Sequence, residues 1–265
     1  MTTPTDPIAP LHLWRDETPR PGWANMAIDR ALLDLAAGEG VLVMRLYRWH
    51  PHCLSFGRHE PALRRYDRER IAALGLDTVR RPTGGRAVWH ARELTYAVAA
   101  PEAALGGLRE AYQQIHEWLA AAIQGLGAPA TLAAPPERTP DPADGACFAA
   151  PVGGEVLVDG WKVVGSAQLR DGGALLQHGS MLLEDDQALV RDVSRQAETR
   201  PPAERSLSAL LGRSVTWDVA ADAVAGALQP NPFAPEHTSD LEERIGSRVR
   251  EWAAQFQDPA WTWVR

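Results

Sequence analysis

The stretch "EVLVDGWKVVGSAQLRDGGALLQHGSMLL" (155–183) joins short apolar runs twice by turns that belong to antiparallel strands. Asp159-Gly160, between "EVLV" and "WKVV", suits a two-residue hairpin, whose central residues both need positive φ. "RDGG" then turns the chain back into "ALLQHGSMLL". A chain committed to consecutive hairpins is not a regular βαβ repeat, where a crossover follows each strand.

Helical periods occupy the flanks. "NMAIDRALLDLAAGEG" places Ile28, Leu32 and Leu35 at helical spacing, with Asn25 as the expected N-cap and Gly38 as the stop. "YDRERIAALGL" reads as a short helix. "LREAYQQIHEWLAAAIQGLG" is the clearest one, with Leu108, Tyr112, Ile115, Leu119 and Ile123 on one stripe. Ser239 and Glu242 form a capping box for a last helix running to about Gln257. Strands are expected at "VLVMRLYRW", "CLSFGR", "DTVRR", "AVWH" and "ELTYAVAAP". The segment 128–146 has five prolines and little apolar bulk, so it is expected to be a loop. Hairpins with packed helices predict an α+β fold: a mixed central β-sheet flanked by helices.

Composition narrows the function classes. The chain of 265 residues is 45% apolar and 23% charged, ordinary values for a soluble globular protein. Its net charge of −7 is spread without long runs, which argues against a nucleic-acid surface. No segment approaches the ~18 apolar residues of a membrane helix, and the N-terminus lacks a secretory pattern. These features predict a cytoplasmic monomer: one domain over residues 1–265, with a core from about 14 to 257 and no accessory C-terminal domain. No CxxC or HExxH spacing is present, so no metal site is expected.

Three stretches carry candidate chemistry. In "RRPTGGRAVWH" (Arg80 to His90), two glycines at a strand end let backbone N–H groups approach an oxygen closely. It is neither a Walker A loop nor a dinucleotide fingerprint. In "GACFAAP", Cys147 lies among small residues at the end of the long loop, where a thiol is reachable; Cys53, within an apolar strand, is read as a buried hydrophobe. In "WKVVGSAQL", Gly165, Ser166 and Ala167 leave an unfilled strip on a strand. On that strand Lys162, Val164 and Ser166 share one face, and Trp161, Val163 and Gly165 the other. His178, near a strand end, is placed behind the reacting groups. Of the 27 basic residues only Lys162 is a lysine; the rest are arginines. One reading is that it is an accident on a solvated face. The other is that its site needs a proton that can move, which guanidinium cannot supply.

Together, "NMAIDRALL", "RLYRWHPHCLSFGRHE", "RRPTGGRAVWHARELTYAVAAP", "ACFAAPVGGEVLVDGWKVVGSAQLRDGGALLQHGSMLL" and "SLSALLGR" resemble the lipoate–protein ligase and octanoyltransferase family, from about Trp14 onward. The resemblance implies the biotin/lipoate protein ligase catalytic-domain fold. "ACFAAP" followed by Lys162 looks most like the cysteine-type octanoyltransferases of lipoate assembly. It departs from a frequent family pattern at Ala91, where an acid often follows the histidine.

That resemblance implies Cys147 as the acyl-carrying nucleophile and Lys162 as its activator. Arg81, Gly84, Gly85 and His90 would line the acyl tunnel and its mouth, and Gly165, Ser166, Ala167 and His178 would be further substrate-binding positions. The backbone N–H groups from Gly165 to Ala167 would hold an oxyanion. The implied donor is octanoyl-acyl carrier protein, and the implied acceptor an apo lipoyl domain or the glycine-cleavage H protein, with no cofactor. Two alternatives stay open at this point: an ATP-dependent lipoate–protein ligase, and an amidotransferase moving octanoyl from H protein to other lipoyl domains.

Overall fold

In a computed structural model of the chain, residues 10–134, 154–184, 187–195, 205–228 and 238–264 are described. The strands among them are β1 (Leu11–Arg15), β2 (Leu42–Tyr47), β3 (Cys53–Phe56), β4 (Asp77–Arg80), β5 (Val88–His90), β6 (Glu93–Pro101), β7 (Ala130–Leu132), β8 (Val156–Val158), β9 (Trp161–Lys162), β10 (Val164–Asp171) and β11 (Ala174–Leu182). The helices are α1 (Gly22–Glu39), α2 (Ala62–Arg65), α3 (Arg68–Ala73), α4 (Glu102–Leu105), α5 (Leu108–Gly125), α6 (Ala188–Asp192), α7 (Leu207–Leu211), α8 (Trp217–Ala227), α9 (Thr238–Gln257) and α10 (Pro259–Thr262). None of the described helices is long and apolar enough to cross a membrane.

The main sheet has the order β1-β2-β6-β11-β10. It is mixed: β1 runs parallel to β2, and the other neighbours are antiparallel. Two small sheets, β4-β3-β5 and β7-β8-β9, attach to it. This is the expected α+β architecture.

Strand β2 shows how the layers form. All six of its residues are buried, because strand alternation sends them to two covered faces. Leu42, Met44 and Leu46 join an apolar cluster with Ile115, Leu119 and Val224 from α5 and α8. Val43 and Tyr47 join a second cluster with Leu32 and Leu35 of α1 and Ile245 of α9. Burying each such side chain contributes about 1.5–3 kcal/mol. By the same alternation Arg45 falls inside the α1 layer, fully buried. Its guanidinium donates to Asp16 at 2.6 Å, Asp29 at 3.0 Å and Asn25 Oδ1 at 2.8 Å.

Both hairpins form. Asp159 and Gly160 adopt φ of 49° and 79°, joining β8 to β9, and Gly172-Gly173 joins β10 to β11. Other boundaries differ from the sequence reading. Helix α1 starts at Gly22 after Pro21, not at Asn25. Its first N–H is accepted by Asp77 Oδ2 at 2.7 Å, a residue of β4. Asn25 lies inside the helix and donates to the carbonyls of Arg20 and Arg48. The helix passes through Gly38 and ends at Gly40, whose N–H returns to Ala36. The segment expected as a loop from 128 contains β7, which pairs with β8; residues 135–153 lie outside the described part. Helix α9 begins at Thr238, so Ser239 falls within its first turn, and that side chain is not among those described.

Strand "WKVVGSAQL" is not continuous. Val163 N–H donates to Val156 O of the small sheet at 3.1 Å, while its carbonyl accepts from Leu182 N–H of the main sheet at 3.0 Å. The chain changes sheets there, so the expected shared face of Lys162, Val164 and Ser166 cannot be carried across by alternation.

Candidate active site

A slot opens where the main sheet meets β4-β3-β5. Its lining includes Arg81, His90, Gly165, Ser166, Ala167 and His178, six of the ten residues singled out from the sequence. Met26, Tyr47, Trp49 and Val88 supply apolar walls. About 350 Å³ of space lies among these residues. The space is a narrow slot with mostly apolar walls.

The paired arginines divide by strand alternation. Arg80 is wholly buried and donates to the carbonyls of Gly57, Arg58, Glu60, Trp261, Thr262 and Val264, tying the C-terminal segment to the end of β3. Arg81 faces the slot. It donates to Ser55 Oγ at 2.6 Å and to the carbonyls of Gly84 and Arg86 at 3.1 and 2.8 Å. Gly84 and Gly85 do not line the slot; they shape its rim. Gly85 has φ of 90°, and a Cβ at Gly57 would overlap the Gly85 carbonyl. The turn thus presses on the end of β3 at a distance only glycine allows.

The two slot histidines are both braced. His90 stacks on Trp49 with ring centroids 4.1 Å apart, and its nitrogens meet Glu93 and Ser55, each at 2.6 Å. His178 Nδ1 meets Asp29 Oδ2 at 2.9 Å, and its Nε2 meets Thr83 Oγ1 at 2.6 Å. Burial pushes the His178 pKa down, and Asp29 offsets this only in part. The neutral ring donates from Nδ1 to Asp29 and accepts from Thr83, so it holds the glycine turn in place.

Strand β10 lies at the edge of the main sheet. The bond from Leu182 N–H to Val163 O fixes the alternation. Gly165 and Ala167 spend their backbone groups on β11, whereas those of Ser166 and Gln168 point away from it. Within the expected run from Gly165 to Ala167, only the Ser166 N–H is directed away from the sheet.

Lys162 is not on a solvated face. It is 6% exposed, and its Nζ lies 2.5 Å from Glu155 Oε1, itself buried. Beside this pair stands His116 of α5. Its Nδ1 is 2.6 Å from the Gly154 carbonyl and its Nε2 2.7 Å from Ser166 Oγ. Burial, opposed by the Gly154 carbonyl and reinforced by the Lys162 charge, lowers the His116 pKa to about 4. A neutral ring must donate from Nδ1 to the carbonyl, so Nε2 accepts from Ser166. Ser166 Oγ then accepts from Tyr96 OH at 2.6 Å, and Tyr96 OH accepts from Gln177 Nε2 at 2.9 Å. Every hydrogen in this chain has one direction.

Sequence reasoning missed Glu155, His116, Tyr96 and Gly179. A Cβ at Gly179 would overlap the Gly165 carbonyl and stand 2.8 Å from Ser166 Oγ. Glu155 was within reach of the sequence. A two-residue turn at Asp159-Gly160 puts Leu157 opposite Lys162, and Glu155 lies on the same face as Leu157, diagonal to the lysine. His116 carried a weaker sign, one turn after Tyr112, whose ring it meets edge-on at 4.0 Å. Cys53 is fully buried, and burial raises its pKa well above the ordinary thiol value. Cys147 lies outside the described residues.

The matches with known proteins converge. Residues 21–229 match the lipoyl protein ligase A/B catalytic domain. A protein named octanoyltransferase LipM from Symbiobacterium thermophilum is 41% identical over 80% of this chain and 84% of its own length. Another of that name from an Exiguobacterium species is 34% identical over 96% and 98%. Among solved structures, a lipoate–protein ligase A bound with ATP superposes with a TM-score of 0.77 at 19% identity, covering 96% of this chain and 98% of its own. That likeness concerns the fold alone.

Proposed function

The chain belongs to the family of lipoyl protein ligase A/B catalytic domains, and within it we propose an acyltransferase of lipoate assembly that moves an octanoyl group through a cysteine thioester. The observation that carries this reading is the narrow slot. It ends against edge strand β10, whose preceding residues hold the sole lysine in a buried pair with Glu155. The octanoyltransferase relatives support the acyl group. The donor is octanoyl-acyl carrier protein, and the acceptor is the lysine of a lipoyl domain or of the glycine-cleavage H protein.

In the first half-reaction the Cys147 thiolate attacks the donor thioester carbon. The bond from that carbon to the carrier sulfur breaks, and the carrier thiolate takes up the proton that Cys147 gave up. In the second, the acceptor amine attacks the thioester on Cys147, loses a proton, and expels the Cys147 thiolate as the amide forms. Lys162 holds and returns the travelling proton, a role closed to arginine. Glu155 holds its Nζ in place. The Ser166 N–H, directed away from the sheet, suits an oxyanion. A thioester is already activated, so the transfer needs no nucleotide.

Incubation with octanoyl-acyl carrier protein alone should add one octanoyl mass to the enzyme, removable by hydroxylamine and lost in Cys147→Ala. Apo H protein should then be octanoylated without ATP. Strict ATP dependence with a free acid, and no adduct on Cys147, would instead establish the ligase.

A further inference from the structure

We propose that His116 is a positioning residue for this reaction: by tethering the Gly154 carbonyl, it holds the Glu155–Lys162 pair at the end of the acyl slot. The inference rests on the function proposed above, but its geometry stands apart from it.

His116 is the described side chain that joins the slot wall to the chain entering β8. On one side it accepts from Ser166, which lines the slot. On the other it donates to the carbonyl of Gly154, next to Glu155. Gly154 N–H in turn donates to Ala133 O at 2.7 Å, and Ala133 N–H to Glu155 O at 2.8 Å. The backbone on both sides of Glu155 is thereby fixed, and Glu155 fixes Lys162 Nζ. The ring sits in α5, packed into the apolar cluster beneath the sheet, so its own place is set by the core. Its two nitrogens thus have separable duties. Nδ1 governs the lysine pair; Nε2 orders Ser166, Tyr96 and Gln177.

Two polar substitutions separate these duties. An asparagine amide falls near the position of Nδ1 and can keep the Gly154 tether. A glutamine amide falls near Nε2 and keeps only the Ser166 bond. Lys162 is the sole side-chain amine, so acetylation by acetic anhydride, located by peptide mass, reports its accessibility directly. The His116→Gln variant should acetylate at Lys162 about tenfold faster than wild type, the equivalent of one net hydrogen bond. Its kcat for octanoyl transfer should fall by a similar factor at unchanged KM. His116→Asn should stay within about twofold of wild type in Lys162 acetylation. Equal acetylation of the two variants, fast or slow, would overturn the proposal. If wild type transfers no octanoyl from the carrier-protein thioester, the proposed function falls, while the acetylation contrast still decides the role of His116.

Discussion

His178 and His116 are both buried, both neutral and both tied at each ring nitrogen, yet they lie in opposite layers of the main sheet and are held by unlike partners. His178 faces α1 and leans on a carboxylate, Asp29. His116 sits in α5 and leans on a backbone carbonyl and a hydroxyl. The carboxylate favours the protonated ring, although Asp29 is shared with Arg45 at 3.0 Å and Tyr47 at 2.9 Å. The carbonyl offers far less, and the nearby Lys162 charge opposes protonation outright. The α1 layer is therefore built on paired charges and braces the glycine turn. The α5 layer is built on neutral dipoles of fixed direction, next to the sole lysine.

The sharpest break of this contrast removes the charge from the α1 layer. Asp29→Asn leaves the buried Arg45 with one carboxylate fewer and His178 without its anion. Breaking a buried ion pair from one side costs about 3–5 kcal/mol, so the urea midpoint should fall far. A shift smaller than that of a surface control would show that Asp16 alone satisfies Arg45.

The next effect is acid sensitivity, and it belongs to the α5 layer. The His116 pKa is about 4 in the fold against an ordinary 6.5. Between those values the unfolded chain binds the extra proton and the folded one does not, so stability rises with pH through that window. It is lost as pH falls from above 6.5 toward 4, by roughly 3 kcal/mol in all for that shift. His116→Gln should flatten the slope of stability against pH between 4 and 6.5. His178 contributes with the same sign, so some slope should persist. An unchanged slope in the glutamine variant would place the acid sensitivity elsewhere.

The sequence was most legible where partners lie close along the chain. Asp159-Gly160 and Gly172-Gly173 impose their own geometry, and β2, β6 and α5 follow from apolar period alone. The slot was visible as small residues at Gly165 to Ala167 and as the glycine turn after Arg81. What stayed hidden depends on distant partners. Asp29 meets His178 across 149 positions, and His116 meets Ser166 across 50. No local period marks Asp29 as different from any polar residue on a helix. The start of α1 failed for the same reason: Asp77 satisfies its first N–H from 55 positions away. The strand break at Val163 was hidden differently, since a chain that changes sheets keeps an unbroken apolar pattern.

Gly179 stands where the two layers meet: His178 precedes it, and Tyr96 and Ser166 crowd its open side. Gly179→Ala would push the new methyl onto the Gly165 carbonyl and toward Ser166 Oγ and Tyr96 Cε1, each 2.8 Å away. Backbone is on one side, so the strand must shift, at about 1–3 kcal/mol. Loss of octanoyl transfer should exceed what the stability change explains, because the same shift closes the slot. A variant with reduced stability but full activity would detach the slot from this wall.

The smallest perturbation touches one hydrogen bond of the α1 layer. The Tyr47 hydroxyl donates to Asp29 Oδ2, the same oxygen that faces His178. Burial and Asp29 together raise the phenol's pKa well above 10, so it remains a donor at working pH. Tyr47→Phe removes that donor and leaves Asp29 Oδ2 to His178 alone. The net loss of stability should be about 1 kcal/mol, since Asp29 keeps its bond to Arg45. The more telling change is in titration. With one competitor gone, the carboxylate acts more strongly on the imidazolium form, so the His178 pKa should move up toward its ordinary value. His116, in the opposite layer and without a carboxylate partner, should not move. Proton NMR of the two imidazole rings reads both shifts in one titration. If the two histidines move together, the layers share one electrostatic environment and the contrast drawn between them fails.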